Sequence, residues 1–118
     1  MEPQKTPHSQ SNIEEISMDY NKLVRDRIPE IIAAQGEKPV TRVLDDQAYA
    51  VCLEKKLEEE VAEYLESREI EELADILEVV YALCEMQGHS AEALVRAYEK
   101  KHRERGGFSK RIFLIGKE

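Results

Sequence analysis

Between residues 58 and 80 the chain reads EEEVAEYLESREIEELADILEVV, ten acidic side chains in twenty-three positions that interrupt an otherwise regular apolar pattern. No other feature limits the fold as much. A helix that buries its apolar side must take any carboxylate on that side out of water, and an unpaired buried anion costs several kcal/mol. The placement of these acids around their helices therefore decides what the chain can do.

An α-helix turns about 100° per residue, so the face of each side chain follows from its number. Over residues 69–88, Ile70, Leu73, Ile76, Leu77, Val79, Val80, Tyr81, Leu83 and Cys84 cover an arc of roughly 200°. Glu71, Glu78 and Glu85 recur every seven residues opposite that arc and form the solvated stripe. Glu72 is different: it falls between Val79 and Leu83, inside the arc, with Asp75 one short step away. On the preceding helix Leu53, Leu57, Val61, Tyr64 and Leu65 form the core stripe. Glu60 lies at the edge of that stripe beside Leu53, with Glu63 and Lys56 adjacent.

Two pairs spaced i,i+3, Glu60/Glu63 and Glu72/Asp75, thus project from consecutive helices toward their apolar sides. The short segment YLESREIE between them forces an antiparallel hairpin, which can bring all four carboxylates to one place. A hard divalent cation with oxygen ligands is the economical compensation, and an all-oxygen set favours magnesium or manganese over zinc or copper. The rival compensation is salt bridging to Lys55, Lys56, Arg68 or the C-terminal bases. A di-iron bundle needs Glu-x-x-His on its helices, and neither pair has a histidine at i+3.

The remaining sequence frames this hairpin. Residues 1–18 are polar and aperiodic and read as a disordered tail, leaving 19–118 as one domain. Pro29 suits the first turn of a short helix and Gly36 its left-handed stop. PVTRVL is an extended connector, and Asp45 is the N-cap of a long helix reaching about Ser67. A second helix runs from near Glu69 to Gly88, and Ser90 caps a third that ends at Gly106 or Gly107. The closing FSKRIFLIGKE is apolar enough to pack back on the body as an extended strand. The expected architecture is all-α, a compact helical bundle. The nearly all-round apolarity of the 69–88 helix asks for more burial than so small a chain supplies, so the bundle is expected to be completed by a homodimer or a higher homo-oligomer.

Charge and cysteine usage exclude several functions. The net charge of −8 argues against nucleic-acid binding, which draws most of its affinity from a basic surface. Eleven acids lie between Glu54 and Glu78, whereas Lys100 to Glu118 holds seven Lys or Arg. An acidic centre beside a basic end suits an anionic ligand held through a cation. Cys52 and Cys84 form neither a metal-ligand spacing nor a disulfide framework, which predicts a reducing, cytoplasmic setting. No apolar stretch is long enough to span a membrane.

With these residues in hand, the chain resembles the all-α nucleoside triphosphate pyrophosphohydrolases, the superfamily of MazG and of phosphoribosyl-ATP pyrophosphohydrolase. Their signature, EExxE followed by ExxD, reads here as Glu59-Glu60-Val61-Ala62-Glu63 and Glu72-Leu73-Ala74-Asp75. The segments NKLVRDRIPEII, EELADILEVVYAL and ERGGFSKRIFL are similar to the phosphoribosyl-ATP pyrophosphohydrolase-like branch, so the likeness covers about residues 20 to 115. One departure is the spacing: eight residues separate Glu63 from Glu72, fewer than the family usually has, which shortens the hairpin.

The resemblance implies hydrolysis of a nucleoside triphosphate, or a phosphoribosyl-ATP-like nucleotide, between the α and β phosphates, in keeping with house-cleaning of the nucleotide pool. Glu60, Glu63, Glu72 and Asp75 would hold Mg²⁺, with Mn²⁺ the alternative. Glu59 is a candidate for orienting or deprotonating the attacking water, and equally a plain surface residue. Lys22, Arg25, Lys56, Lys101 and Arg105 are candidate donors to the substrate phosphates. The competing reading is a non-catalytic helical interaction or regulatory module that retains the scaffold.

Overall fold

The computed structural model describes residues 21–118. Four helices follow one another: α1 (Ile28–Ala34), α2 (Asp46–Ser67), α3 (Ile70–Met86) and α4 (Ala91–Arg105). No strand forms among the described residues, so the protein is all-helical there. No helix is long and apolar enough to cross a membrane. The tail expected over residues 1–18 lies outside the described residues.

Local chemistry sets the helix ends where the sequence predicts them. Pro29 sits in the first turn of α1, where its missing N–H has no partner to lose. The helix stops at Gly36, whose φ of 87° is the left-handed value that favours glycine. The Asp45 carboxylate accepts a hydrogen bond from the Ala48 N–H at 2.9 Å, satisfying one of the first-turn donors of α2. Ser90 does the same for α4, its hydroxyl accepting from the Ala93 N–H at 3.1 Å. Gly106 closes α4 with a φ of 83°.

The chain divides into two compact units at Cys52/Leu53, within α2. In the first, α1 is followed by a non-helical connector in which Val40 and Val43 are almost fully exposed. The second unit, residues 53–118, contains the hairpin of α2 and α3 followed by α4. Here α3 and α4 border an apolar groove of about 380 Å³, lined by Val80, Leu83, Ala93, Leu94 and Ala97 among others. The Cys84 thiol points at the turn between these helices, with its Sγ 3.5 Å from the Ser90 carbonyl oxygen.

Two residues, Arg68 and Glu69, join α2 to α3. Arg68 adopts a φ of 60°, a left-handed conformation that costs a non-glycine residue about 1 kcal/mol or more. Local contacts offset this: the Arg68 N–H donates to the Tyr64 carbonyl at 2.7 Å. Its side-chain Nε donates to the Leu65 carbonyl at 2.8 Å, and its guanidinium lies 5.9 Å from the Tyr64 ring centre. Glu69 then turns extended at φ −86° and ψ 145° before α3 begins.

Two expectations need correcting. The C-terminal segment forms no strand and does not pack back: Phe108, Ile112, Phe113, Leu114 and Ile115 are 77–97% exposed. The described residues contain no sheet edge with which an extended segment could pair. The apolar stripes are also only partly buried. Leu53 and Val79 are buried, but Val61, Leu65, Ile70, Leu73 and Leu77 remain exposed. Val79 and Glu72 share one side of α3, and Leu73 lies about 100° round from Glu72. Glu71, Glu78 and Glu85 are exposed, as their sevenfold spacing requires.

The caps carry a direct test. Replacing the hydroxyl in Ser90→Ala leaves the Ala93 N–H without its acceptor, and the loss should be about 1 kcal/mol. Denaturant titration should show a lower midpoint with an unchanged slope.

Candidate metal centre

Helices α2 and α3 bring carboxylates from both strands of the hairpin into one space. One carboxylate oxygen from each of Glu60, Glu72 and Asp75 lies within 4.8 Å of the others. The register is that of antiparallel helices, with Glu63 against Glu72 nearer the turn and Glu60 close to Asp75 one step farther away. Electrostatic coupling follows that register: Glu72 feels both Glu63 and Asp75, and it shares a hydrogen bond with Glu63.

Glu60 is the surprise of the cluster. The sequence places it at the edge of the core stripe, yet it is 7% exposed, one of the few buried residues described. Lys56, one turn earlier, sits between two acids, with its Nζ 3.2 Å from Glu59 and 3.4 Å from Glu60 Oε2. That ammonium serves one oxygen of Glu60 only. Glu60 Oε1 and Glu72 Oε1 are both sealed from solvent and have no hydrogen-bond partner. Buried polar atoms nearly always find partners, so two orphaned oxygens in one cluster call for an explanation.

The protonation equilibria register the same crowding. Burial, then the charge of Glu63, pushes the Glu60 carboxyl above its ordinary range; Lys56 pulls it down and Asp75 raises it again. Glu72 is also raised, first by loss of solvent, then by the charges of Glu63 and Asp75, and by its hydrogen bond with Glu63. A carboxyl whose pKa rises on folding stabilises the fold only while it is protonated.

The candidate residues divide clearly. Glu60, Glu72 and Asp75 converge, and Glu63 joins them through Glu72 without being part of the closest trio. Glu63 and Asp75 also have interactions of their own. Glu59 stands beside the cluster, held by Lys56, with 42% of its side chain exposed. Lys101 and Arg105 are exposed on α4. Lys22 and Arg25 belong to the first unit, and each has an interaction of its own. The pairing of Lys56 with Glu60 was legible as an i,i+4 spacing; its consequence, that one Glu60 oxygen is satisfied and the other left bare, was not.

The donor set consists of carboxylate oxygens with no sulfur or imidazole, which suits a hard divalent cation. Such an ion would supply the positive charge that the two orphaned oxygens lack. The residues present therefore fit a magnesium- or manganese-type site.

Comparison with known proteins adds little about function. No protein-family model and no solved structure matches the chain. A protein of Mycolicibacterium smegmatis described only as uncharacterized is 60% identical over 42 residues, covering 36% of this chain and 43% of that one. The chain thus aligns with less than half the length of that relative.

A pH series tests the electrostatics. Between the ordinary glutamate pKa and the raised one, the folded state holds more protons than the unfolded state. The contribution of Glu60 and Glu72 is therefore full at low pH and lost as pH rises through the raised pKa. Glu72→Gln cannot titrate, so in chelator its stability relative to wild type should climb as pH goes from about 4 to about 8. Glu78→Gln, on the wet stripe, should show a flat difference across the same melts.

Proposed function

We propose that this chain is a divalent-metal-dependent nucleotide pyrophosphohydrolase of the all-α, MazG-like type, acting as a homodimer or a higher homo-oligomer. One observation carries the reading: two sealed, unpartnered carboxylate oxygens belong to Glu60 and Glu72, whose side chains converge with that of Asp75. A salt-bridged helical module would have satisfied those oxygens with Lys or Arg. The EExxE and ExxD spacing supplies the chemical context.

In this reading Glu60, Glu72 and Asp75 hold Mg²⁺, with Glu63 completing the set beside Glu72 and Mn²⁺ as the alternative ion. Held by these carboxylates, such an ion would supply positive charge to offset the negative charge that develops as the α–β phosphoanhydride is cleaved. The chain's own groups do the rest. Lys56 fixes Glu59 and Glu60 in place and is the nearest ammonium able to meet substrate phosphate. Glu59, less buried than Glu60, orients the attacking water or takes its proton. Lys101 and Arg105 are the further donors for phosphate oxygens. The products are a nucleoside monophosphate and pyrophosphate.

Hydrolysis of a nucleotide panel, with pyrophosphate and orthophosphate measured separately, tests the reaction. Glu63→Gln and Asp75→Asn should each abolish Mg²⁺-dependent pyrophosphate release with an unchanged helical circular dichroism signal. Glu78→Gln should retain it. No turnover by wild type on any nucleotide would favour the non-catalytic module.

Metal binding should also be visible without substrate. A ligand that binds only the folded state adds about 2.7 kcal/mol at a hundred times its Kd, which amounts to several degrees of melting temperature at this size. Asp75→Asn removes a repelling charge, so it should melt higher than wild type in chelator and gain nothing from Mg²⁺. Identical wild-type melts in chelator and in excess Mg²⁺ would end the metal-site reading.

A further inference from the structure

Two apolar surfaces of the second unit are left uncovered, and their charges are opposite. The first is on the α2–α3 hairpin. Val61 and Leu65 of α2 and Ile70, Leu73 and Leu77 of α3 are 37–74% exposed. Turning about 100° per residue from Glu60 reaches Val61 and then Leu65. Turning in the same sense from Glu72 reaches Leu73 and then Leu77. In antiparallel helices the same sense of rotation leads to the same side of the pair, so these five residues share one side of the hairpin. The same periodicity sets Glu54 and Glu58 on the α2 part of that side, about 120° and 160° round from Glu60, whereas Glu71 and Glu78 fall on the other side of α3. Glu54 and Glu58 are both exposed.

The second surface is the C-terminal segment. Phe108 and the unbroken run Ile112-Phe113-Leu114-Ile115 are 77–97% exposed. Lys110, Arg111 and Lys117 flank that run. Isolated exposed apolar residues are ordinary, but contiguous patches on this scale mark contact surfaces.

We propose that residues 108–117 of one copy dock on the α2–α3 apolar side of a second copy, and reciprocally, so that two chains exchange their C-terminal segments. Charge selects this arrangement. A two-fold contact of the hairpin side with itself sets one patch against an identical patch, bringing the Glu54 and Glu58 edge of each copy to an equally acidic surface. Like charges so opposed disfavour the contact. The C-terminal segment instead brings three cations to an acidic border and four consecutive apolar side chains to an apolar centre. The inference rests on the self-associating part of the reading above and not on hydrolysis, so either can fail without the other.

Sedimentation of the full chain and its variants, with isotope-mixed crosslinking, tests the exchange. Wild type should be a dimer that weakens with added salt. Leu114→Asp and Leu73→Asp should each raise the dissociation constant at least tenfold, with helicity retained because both side chains are exposed. Val40→Asp, exposed in the first unit, should leave the dissociation constant unchanged. In an equal mixture of ¹⁵N-labelled and unlabelled chains, co-refolded and treated with a zero-length carboxylate–amine coupler, Lys110 or Lys117 should be joined to Glu54 or Glu58. About half of those linked peptides should carry one label each, the statistical share for pairing between chains. A monomeric wild type overturns the proposal, as does a dimer that survives deletion of residues 108–118. Couplings confined to one isotope overturn it too, because the segment would then fold back on its own chain.

Discussion

The repulsion among carboxylates in the α2–α3 hairpin is the constraint around which the second unit is arranged. Glu60, Glu72 and Asp75 bring oxygens within 4.8 Å of one another, and partial exclusion of water makes that proximity expensive. Two raised pKa values are the direct mark of the expense. Lys56 relieves part of it at Glu60 Oε2, and the oxygens of Glu60 and Glu72 that it does not reach are left bare. A structure that only needed stability would have placed leucine at these positions. Retaining anions there costs stability, which is the usual signature of a site whose ligand restores the balance.

Everything else in the hairpin serves to hold those side chains in register. The two-residue turn accepts a left-handed Arg68 and compensates it with contacts to Tyr64 and Leu65. This tight reversal is what lets a separation of eight residues between Glu63 and Glu72 still bring them to hydrogen-bonding range. A longer loop would tolerate more variation in pairing; a short one leaves few registers available. The caps at Asp45 and Ser90 set where α2 and α4 begin.

The apolar residues tell a complementary story. Only Leu53 and Val79 are buried among the hydrophobic residues described, while five large side chains on one side of the hairpin and five in the C-terminal segment are open to solvent. A fold with so small a core has little apolar burial with which to offset chain entropy. The surplus apolar surface and the short core are thus two views of one condition, which the proposed exchange of C-terminal segments would relieve.

Much of this was legible from residue spacing. Helix ends followed from Pro29, Asp45, Ser90 and three glycines, because capping depends on neighbours within a single turn. The placement of Glu72 inside an apolar arc and of Glu78 outside it followed from the helical period, which is equally local. The exposure of the C-terminal segment was not legible, because apolarity says that a side chain seeks cover without saying whether the same chain provides it. The burial of Glu60, the orphaning of one of its two oxygens by the reach of Lys56, and the exposure of Leu73 and Val61 were decided by tertiary structure alone. Each depends on the rotation of one helix against another, and helical periodicity fixes angles within a helix but never the angle between two.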